Sequence, residues 1–215
     1  SEEKKLWKKG FVFVAGADEV GRGALAGPVV AGAVVFDKIT NAKLQITNGI
    51  RIDDSKKLSK KQREIADKWI RENCLAWGIG EVSASHINKG GIVRATRKAF
   101  RRAVKITNDK LQIINGKKAD FLLVDAFYLP YTRGLKRRNQ KAIIRGDSKS
   151  ISIAAASIIA KVYRDKLMSD LAKKHTKYSW EQNAGYGTKE HREAIQKYGL
   201  TRYHRKAFVK SLLSS

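Results

Sequence analysis

Asp18 and Glu19 stand side by side at the end of an apolar run, Phe11 to Ala17, and Gly21-Arg22-Gly23 follows at once, with Ala24-Leu25-Ala26-Gly27-Pro28 beyond it. Adjacent carboxylates offer hard oxygen ligands to divalent cations. Glycines let backbone N–H and C=O groups come close to a polyanion or a sugar hydroxyl, and Arg22 adds a planar fork for phosphate. Together these groups could perform metal-assisted attack on a phosphodiester. Two more acids repeat the placement: Asp125 ends Phe121-Leu122-Leu123-Val124, and Asp147 follows Ile143-Ile144-Arg145-Gly146. Negative charge at the end of an apolar strand is costly unless paired or metal-bound. Four such carboxylates converging therefore read as a cage for hard cations. Asp147 also adjoins an expected helix start, where the dipole favours its ionised form.

Other motifs carry two readings each. Asp54-Ser55-Lys56-Lys57-Leu58-Ser59 is either a helix cap with a solvated basic turn, or a phosphate grip built from Ser55, Lys56 and a helix N-terminus. Tyr186 lies between Gly185 and Gly187, a poor place for a core tyrosine and a good one for a ring that stacks on a sugar or base. Gly21, Gly23 and Gly27 do not form a dinucleotide fingerprint, because they lead into the strand-like run Pro28 to Phe36 and not into a helix. His86, His175, His191 and His204 show neither ligand nor triad spacing and read as structural or surface residues.

The elements that must position these groups alternate. Phe11 to Ala17, Val29 to Phe36, Leu75 to Val82, Phe121 to Val124 and Ala142 to Ile144 read as strands. Helices are expected over Leu58 to Asn73, Ile92 to Ile106, a long stretch from Ser148, Lys189 to Lys197, and His204 to Leu213. Residues 38 to 53 read as a connection. The near-duplicates Lys43 to Gly49 and Lys110 to Gly116 read as two similar turns. Interleaved strands and helices make this an α/β chain with a mixed central sheet flanked by helices. One domain is expected over residues 1 to 215, with residues from about 175 onward as a small helical lobe.

The 215 residues include 45 Lys and Arg against 20 Asp and Glu, a formal charge of +25, and the basic residues recur along the whole length. A polyanionic partner is the first expectation, nucleic acid the commonest one. The single cysteine, Cys74, excludes an internal disulfide framework and a multi-cysteine zinc site, and its apolar neighbours suggest a buried thiol. No apolar stretch approaches the roughly 20 residues of a membrane span, and the lysine-rich start lacks a signal-peptide pattern. The chain reads as soluble, unprocessed and cytoplasmic, without a membrane partner. A non-catalytic basic nucleic-acid-binding protein would account for the charge but not for four acids at strand ends.

Taken together, these segments resemble ribonuclease HII, the bacterial type 2 ribonuclease H, over most of the chain. The resemblance is carried by Gly16 to Gly23 with Ala26-Gly27-Pro28, Asp54 to Leu58, Val124-Asp125, Gly146-Asp147-Ser148 with Ile153 to Val162 and Arg164-Asp165, Gly185 to Thr188, and His204-Arg205. It implies a ribonuclease H-like fold and a catalytic tetrad of Asp18, Glu19, Asp125 and Asp147 holding two Mg²⁺ or Mn²⁺ ions. It also implies that Gly21, Arg22 and Gly23 recognise the ribose 2′-hydroxyl and adjacent phosphate, that Ser55, Lys56 and Ser148 contact substrate, and that Tyr186 stacks on the next deoxynucleotide's sugar. The implied reaction is cleavage 5′ of ribonucleotides in RNA/DNA hybrids and of single ribonucleotides in duplex DNA, leaving 3′-hydroxyl and 5′-phosphate ends. A monomer serving ribonucleotide removal from DNA is the corresponding expectation. Two positions depart from the usual pattern: Ala184 stands where lysine is common, and Ala126-Phe127 follows Asp125 where glycine is frequent. About ten residues precede the first strand, against the larger N-terminal domain of type 3 relatives.

Overall fold

The computed structural model describes residues 1–37, 50–132 and 134–213. Five strands, β1 (Val14–Val20), β2 (Val29–Val35), β3 (Ala76–Val82), β4 (Phe121–Asp125) and β5 (Gln140–Ile143), form one sheet in the order β3-β2-β1-β4-β5. β1, β2 and β3 pair antiparallel, while β4 and β5 continue the sheet in parallel with β1. β2 is buried along its whole length, which is why it reads as an unbroken apolar run. The register Ala17↔Val124 brings Asp18 alongside Asp125, and β1 runs on past the end of β4.

Two long helices cover the faces. α4 (Ile92–Asn115) follows α1 (Glu2–Lys8), α2 (Lys60–Asn73) and α3 (Ala84–Gly90); it buries Ala95, Ala99, Phe100, Ala103, Val104 and Leu111, a single apolar stripe, against one face. α5 (Ile151–Lys174) covers the other face and is buried almost all round over its first three turns. Its backbone lies directly on the sheet: a Cβ at Gly16 would come 2.3 Å from Ile153 N, and one at Gly32 would come 2.4 Å from the Ala156 carbonyl. The helix start is capped twice. Ser150 accepts the Ile153 N–H, and the buried Glu3 of α1 accepts the Ser152 N–H at 3.1 Å and the hydroxyls of Ser150 and Ser152. Beyond α5, the short α6 (Trp180–Asn183), α7 (Lys189–Tyr198) and α8 (Lys206–Leu213) gather round Trp180, Tyr178, Met168 and Val209.

Several boundaries differ from the sequence reading, each for a local reason. The basic helix continues past Ile106 to Asn115, ending where Gly116 adopts φ 63°. It thereby absorbs the second near-duplicate, which is helix and not a turn; the first, Lys43 to Gly49, lies outside the described residues, as do positions 38–49 of the expected connection. α2 starts at Lys60 because Ser59 and Gln62 form a capping box, so Asp54 caps only the 3-10 turn Ser55–Lys57. The long helix starts at Ile151, since Gly146–Ser148 is a separate 3-10 turn. The last helix starts at Lys206, because His204 bridges to Ala26. α1 was not expected; its seven residues carry only Leu6 and Trp7 as buried apolar anchors among lysines.

Because the helix backbone occupies the space a side chain needs, Gly16→Ala should destabilise the protein by about 1–3 kcal/mol, the usual cost of overpacking. Denaturant titration of the variant checks this, and an unchanged midpoint would contradict the tight seating of α5.

Candidate active site

A cleft of about 530 Å³ opens at the ends of β1 and β4. Asp18, Glu19, Asp125 and Asp147 all line it, with Gly21, Arg22, Gly23, Ser55, Lys56 and Tyr186. Alternation sends Asp18 to the α5 face of the sheet, where the Ser157 hydroxyl bonds it. Glu19 reaches the same cleft because β1 overshoots its parallel neighbour; Arg22 Nη1 lies 3.6 Å from its carboxylate. Asp125 accepts the Gly146 N–H at 2.7 Å, which draws the 3-10 turn and Asp147 toward the strand end.

The glycine turn stands on two buried cations. Arg164 of α5 donates to the carbonyls of Pro28 (3.0 Å), Ala26 (3.1 Å) and Ala184 (2.8 Å). Arg205 donates to Gly27 (3.0 Å) and to Arg22 (2.8 Å). Both side chains are fully buried, and neither has a carboxylate partner among the described residues. Gly21, at φ +79°, lies so close above Arg164 that a Cβ would come 2.0 Å from Nε. Arg22 itself turns outward, its guanidinium 5.3 Å from the centre of the Phe127 ring.

The remaining expected contacts divide. Lys56 is exposed at the cleft, and Tyr186 is exposed beside it with its ring 5.4 Å from the Arg164 guanidinium. Ser55 lines the cleft but is buried, its hydroxyl 2.9 Å from that of Ser157. Without a long helix behind it, the turn Ser55–Lys57 does not offer the expected helix N-terminus. Ser148 is not in the cleft: its hydroxyl donates to the Arg145 carbonyl, and it lines a neighbouring groove beside Asp53 and Lys149. Ser157 and Lys161 also line the cleft, one helical turn apart on α5. They sit inside the run Ile153 to Val162 and were readable there only as part of a small-residue helix. His191 and His204 are buried, His86 is exposed, and Cys74 is half-buried with its thiol pushed up to about 12 by burial.

Burial first, and then the charge of Glu19, pushes Asp18 up to about 8. Burial also raises Glu19, partly offset by Arg22. Asp147 is raised by burial and then by Asp54 and Asp125, against the helix-dipole expectation, because the turn that carries it is only three residues long. No three His, Cys, Asp or Glu side chains among the described residues stand gathered as a ready metal-binding group. The donor chemistry nevertheless fits a divalent cation: hard carboxylate oxygens, crowded and partly desolvated, whose ionised forms a dication would favour.

This electrostatic arrangement sets a pH dependence for the metal-free protein. The folded chain keeps a proton on Asp18 that the unfolded chain releases near 3.8. Folding therefore takes up a proton between about pH 4 and about pH 8, and the stability contribution falls as pH rises through that window. Asp18→Asn removes it. In chelator, the melting temperature of the variant relative to the parent should rise from about pH 5 to about pH 8, as calorimetry at several pH values would record; a constant difference would contradict the shift.

The sequence profile of Ribonuclease HII matches residues 15–212. A Ribonuclease HII from Clostridioides difficile (strain 630) is 44% identical over 211 residues, spanning 98% of this chain and 75% of that protein. The crystal structure of ribonuclease H2 from Pyrococcus horikoshii OT3 superposes with a TM-score of 0.72 at 24% identity, over 94% of this chain and 97% of that one. Bst-RNase HIII in complex with Mn²⁺ gives 0.71 at 20% identity, over 94% and 70%. The two structures speak for the fold, a ribonuclease H-like α/β architecture. The match along nearly the whole sequence speaks for more: the chain belongs to the ribonuclease HII family, nuclease hydrolases that depend on divalent metal and act on nucleic acid.

Proposed function

We propose that the chain is an endonuclease that hydrolyses the phosphodiester 5′ of ribonucleotides in RNA/DNA hybrids and of single ribonucleotides in duplex DNA. Its products carry 3′-hydroxyl and 5′-phosphate ends, and it serves ribonucleotide removal from DNA. The observation supporting this reading is one cleft that joins four carboxylates to a glycine-arginine-glycine turn and an exposed tyrosine. Asp18, Glu19, Asp125 and Asp147 are the groups to hold two Mg²⁺ or Mn²⁺ ions, which when bound supply activation of water and stabilisation of the leaving 3′ oxygen.

The chain's own residues do the recognising. Arg164 and Arg205 hold the carbonyls of Arg22, Ala26, Gly27 and Pro28 inward. The N–H groups of the Gly21-Arg22-Gly23 turn are then the backbone groups offered to a ribose hydroxyl and its phosphate, with little reorganisation. Lys56 and Lys161 supply cationic contacts at the cleft, and Tyr186 a stacking ring that favours a deoxyribose, whose missing 2′-hydroxyl allows close approach. The excess positive charge attracts the duplex without regard to base sequence. No helix among the described residues is long and apolar enough to cross a membrane. A cytoplasmic monomer of one catalytic domain, with residues from about 175 onward as a helical lobe, completes the proposal.

The test is incubation of an end-labelled duplex carrying one ribonucleotide with protein and Mg²⁺, Mn²⁺ or chelator. Cutting 5′ of the ribonucleotide, only with metal, is expected; cutting elsewhere or in chelator would overturn the reading. Asp125→Asn should abolish cleavage yet bind the duplex almost as the parent does, because phosphate attraction comes from the basic surface. Normal turnover by that variant would remove Asp125 from the metal site. Tyr186→Ala should slow cleavage at a lone ribonucleotide by about 5- to 30-fold, the equivalent of about 1–2 kcal/mol of stacking. An all-RNA strand paired with DNA should be affected less, and equal losses on the two substrates would leave junction selectivity to the glycine turn.

A further inference from the structure

His191 and His204 are fully buried and take no part in the acidic site. Each ring is nonetheless held by groups that leave no freedom in where its proton sits. His191 Nδ1 lies 2.8 Å from the Tyr186 carbonyl oxygen, which can only accept, so Nδ1 carries the hydrogen. Its Nε2 is then a bare acceptor, and it receives the Trp180 indole N–H at 3.0 Å. His204 Nδ1 receives the Thr201 backbone N–H at 2.9 Å, so the hydrogen of that ring is on Nε2, which at 3.2 Å shares the single lone pair of His191 Nε2 with the Trp180 N–H. The result is one directed chain of donors from Thr201 through His204 and His191 to the backbone of Tyr186. A proton added to either ring would break it. Burial holds both rings below the ordinary imidazole range, His204 down to about 4.

We propose that His191 and His204 are positioning residues that fix the backbone of Tyr186 and so aim its ring at the substrate. The proposal rests on the reading of Tyr186 as the ring that stacks on the substrate sugar. The segment before Tyr186 is strained and held residue by residue: Ala184 (φ 48°) and Gly185 (φ 80°) are consecutive left-handed residues, tied by Arg164 at the Ala184 carbonyl and by the Asn183 side chain at the Gly185 N–H, while the Tyr186 carbonyl takes His191 Nδ1 and the Thr188 N–H at 2.9 Å. The next residue after His204, Arg205, holds the Arg22 carbonyl of the glycine turn at 2.8 Å. One turn, Thr201 to Arg205, thus grips both the tyrosine and the glycine turn and sets their spacing across the cleft. A purely structural role would need only a filled core, and apolar residues fill a core without the desolvation cost of three hydrogen-bonded rings.

Two amide replacements divide the functions of the His191 ring. His191→Asn keeps an N–H donor at the Nδ1 position, facing Tyr186, and abandons Trp180 and His204. His191→Gln keeps an acceptor at the Nε2 position and abandons Tyr186. The Gln protein should melt higher than the Asn protein, yet lose about 3- to 10-fold in cleavage at a lone ribonucleotide, the worth of one neutral hydrogen bond, while the Asn protein loses less. In a Tyr186→Ala background the Gln replacement should cost nothing more. Assays run well below the lowest melting temperature, and the Gln cycle carries the test alone if the Asn protein does not fold. Activity that follows melting temperature, or losses that multiply in the double variant, would overturn the relay and leave the stacking reading standing. A Tyr186→Ala protein as active as the parent on both substrates would overturn the stacking reading, and the relay with it.

Discussion

The direct contact between the backbone of α5 and the two central strands is the constraint on which the site depends. At Gly16 and Gly32 the helix rests on peptide groups, with no side chain between. That closeness lets one helix serve three parts of the cleft: Ser157 at Asp18, Lys161 at the rim, and Arg164 beneath the glycine turn. A helix one side chain further out would leave Asp18 without its hydroxyl partner and the turn without its inner support. The buried carboxylate of Glu3 at the start of α5 belongs to the same arrangement, since it accepts the Ser152 N–H and hydroxyl at the helix end.

Two opposed fields meet across a short distance. The floor of the cleft is a set of carboxylates forced together by strand register, and burial together with repulsion keeps Asp18, Glu19 and Asp147 harder to ionise than free acids. The wall is a backbone turn over two guanidiniums that have no acid partners among the described residues. Each field is unfavourable to the isolated protein. On the proposed reading, a polyanion bound with divalent cations would relieve both fields at once. Unfavourable charge gathered in one cleft is the pattern expected where strain and desolvation are retained for function.

The C-terminal helices are more than an appendage to the sheet. Arg205 crosses to carbonyls at Arg22 and Gly27, and Arg164 of α5 reaches the carbonyl of Ala184, so the C-terminal segment is fastened to the cleft by hydrogen bonds to main-chain atoms. Such contacts fix backbone position and leave the outward side chains free for a ligand.

What could be read without the structure was what is local. Unbroken apolar runs ending in acid located Asp18, Glu19 and Asp125, because a buried strand and the cost of charge at its end are written within a few residues. The glycine turn and the exposed Tyr186 were legible for the same reason. Helix ends were less so: Ser59, Ser150 and Gly116 decide them through caps that compete with equally plausible neighbours such as Asp54 and Ser148. The tertiary structure alone decided which of the contacts meet. It buried Ser55 against Ser157, turned Ser148 away, and gave Arg164, Arg205, His191 and His204 their partners. A buried arginine or histidine takes its meaning from a carbonyl that the chain reaches only after folding; the partners Arg205 and Arg22 are 183 residues apart. Local periodicity carries no information about such pairs, since the free energy that selects them arises from packing and desolvation once the sheet and its helices have closed.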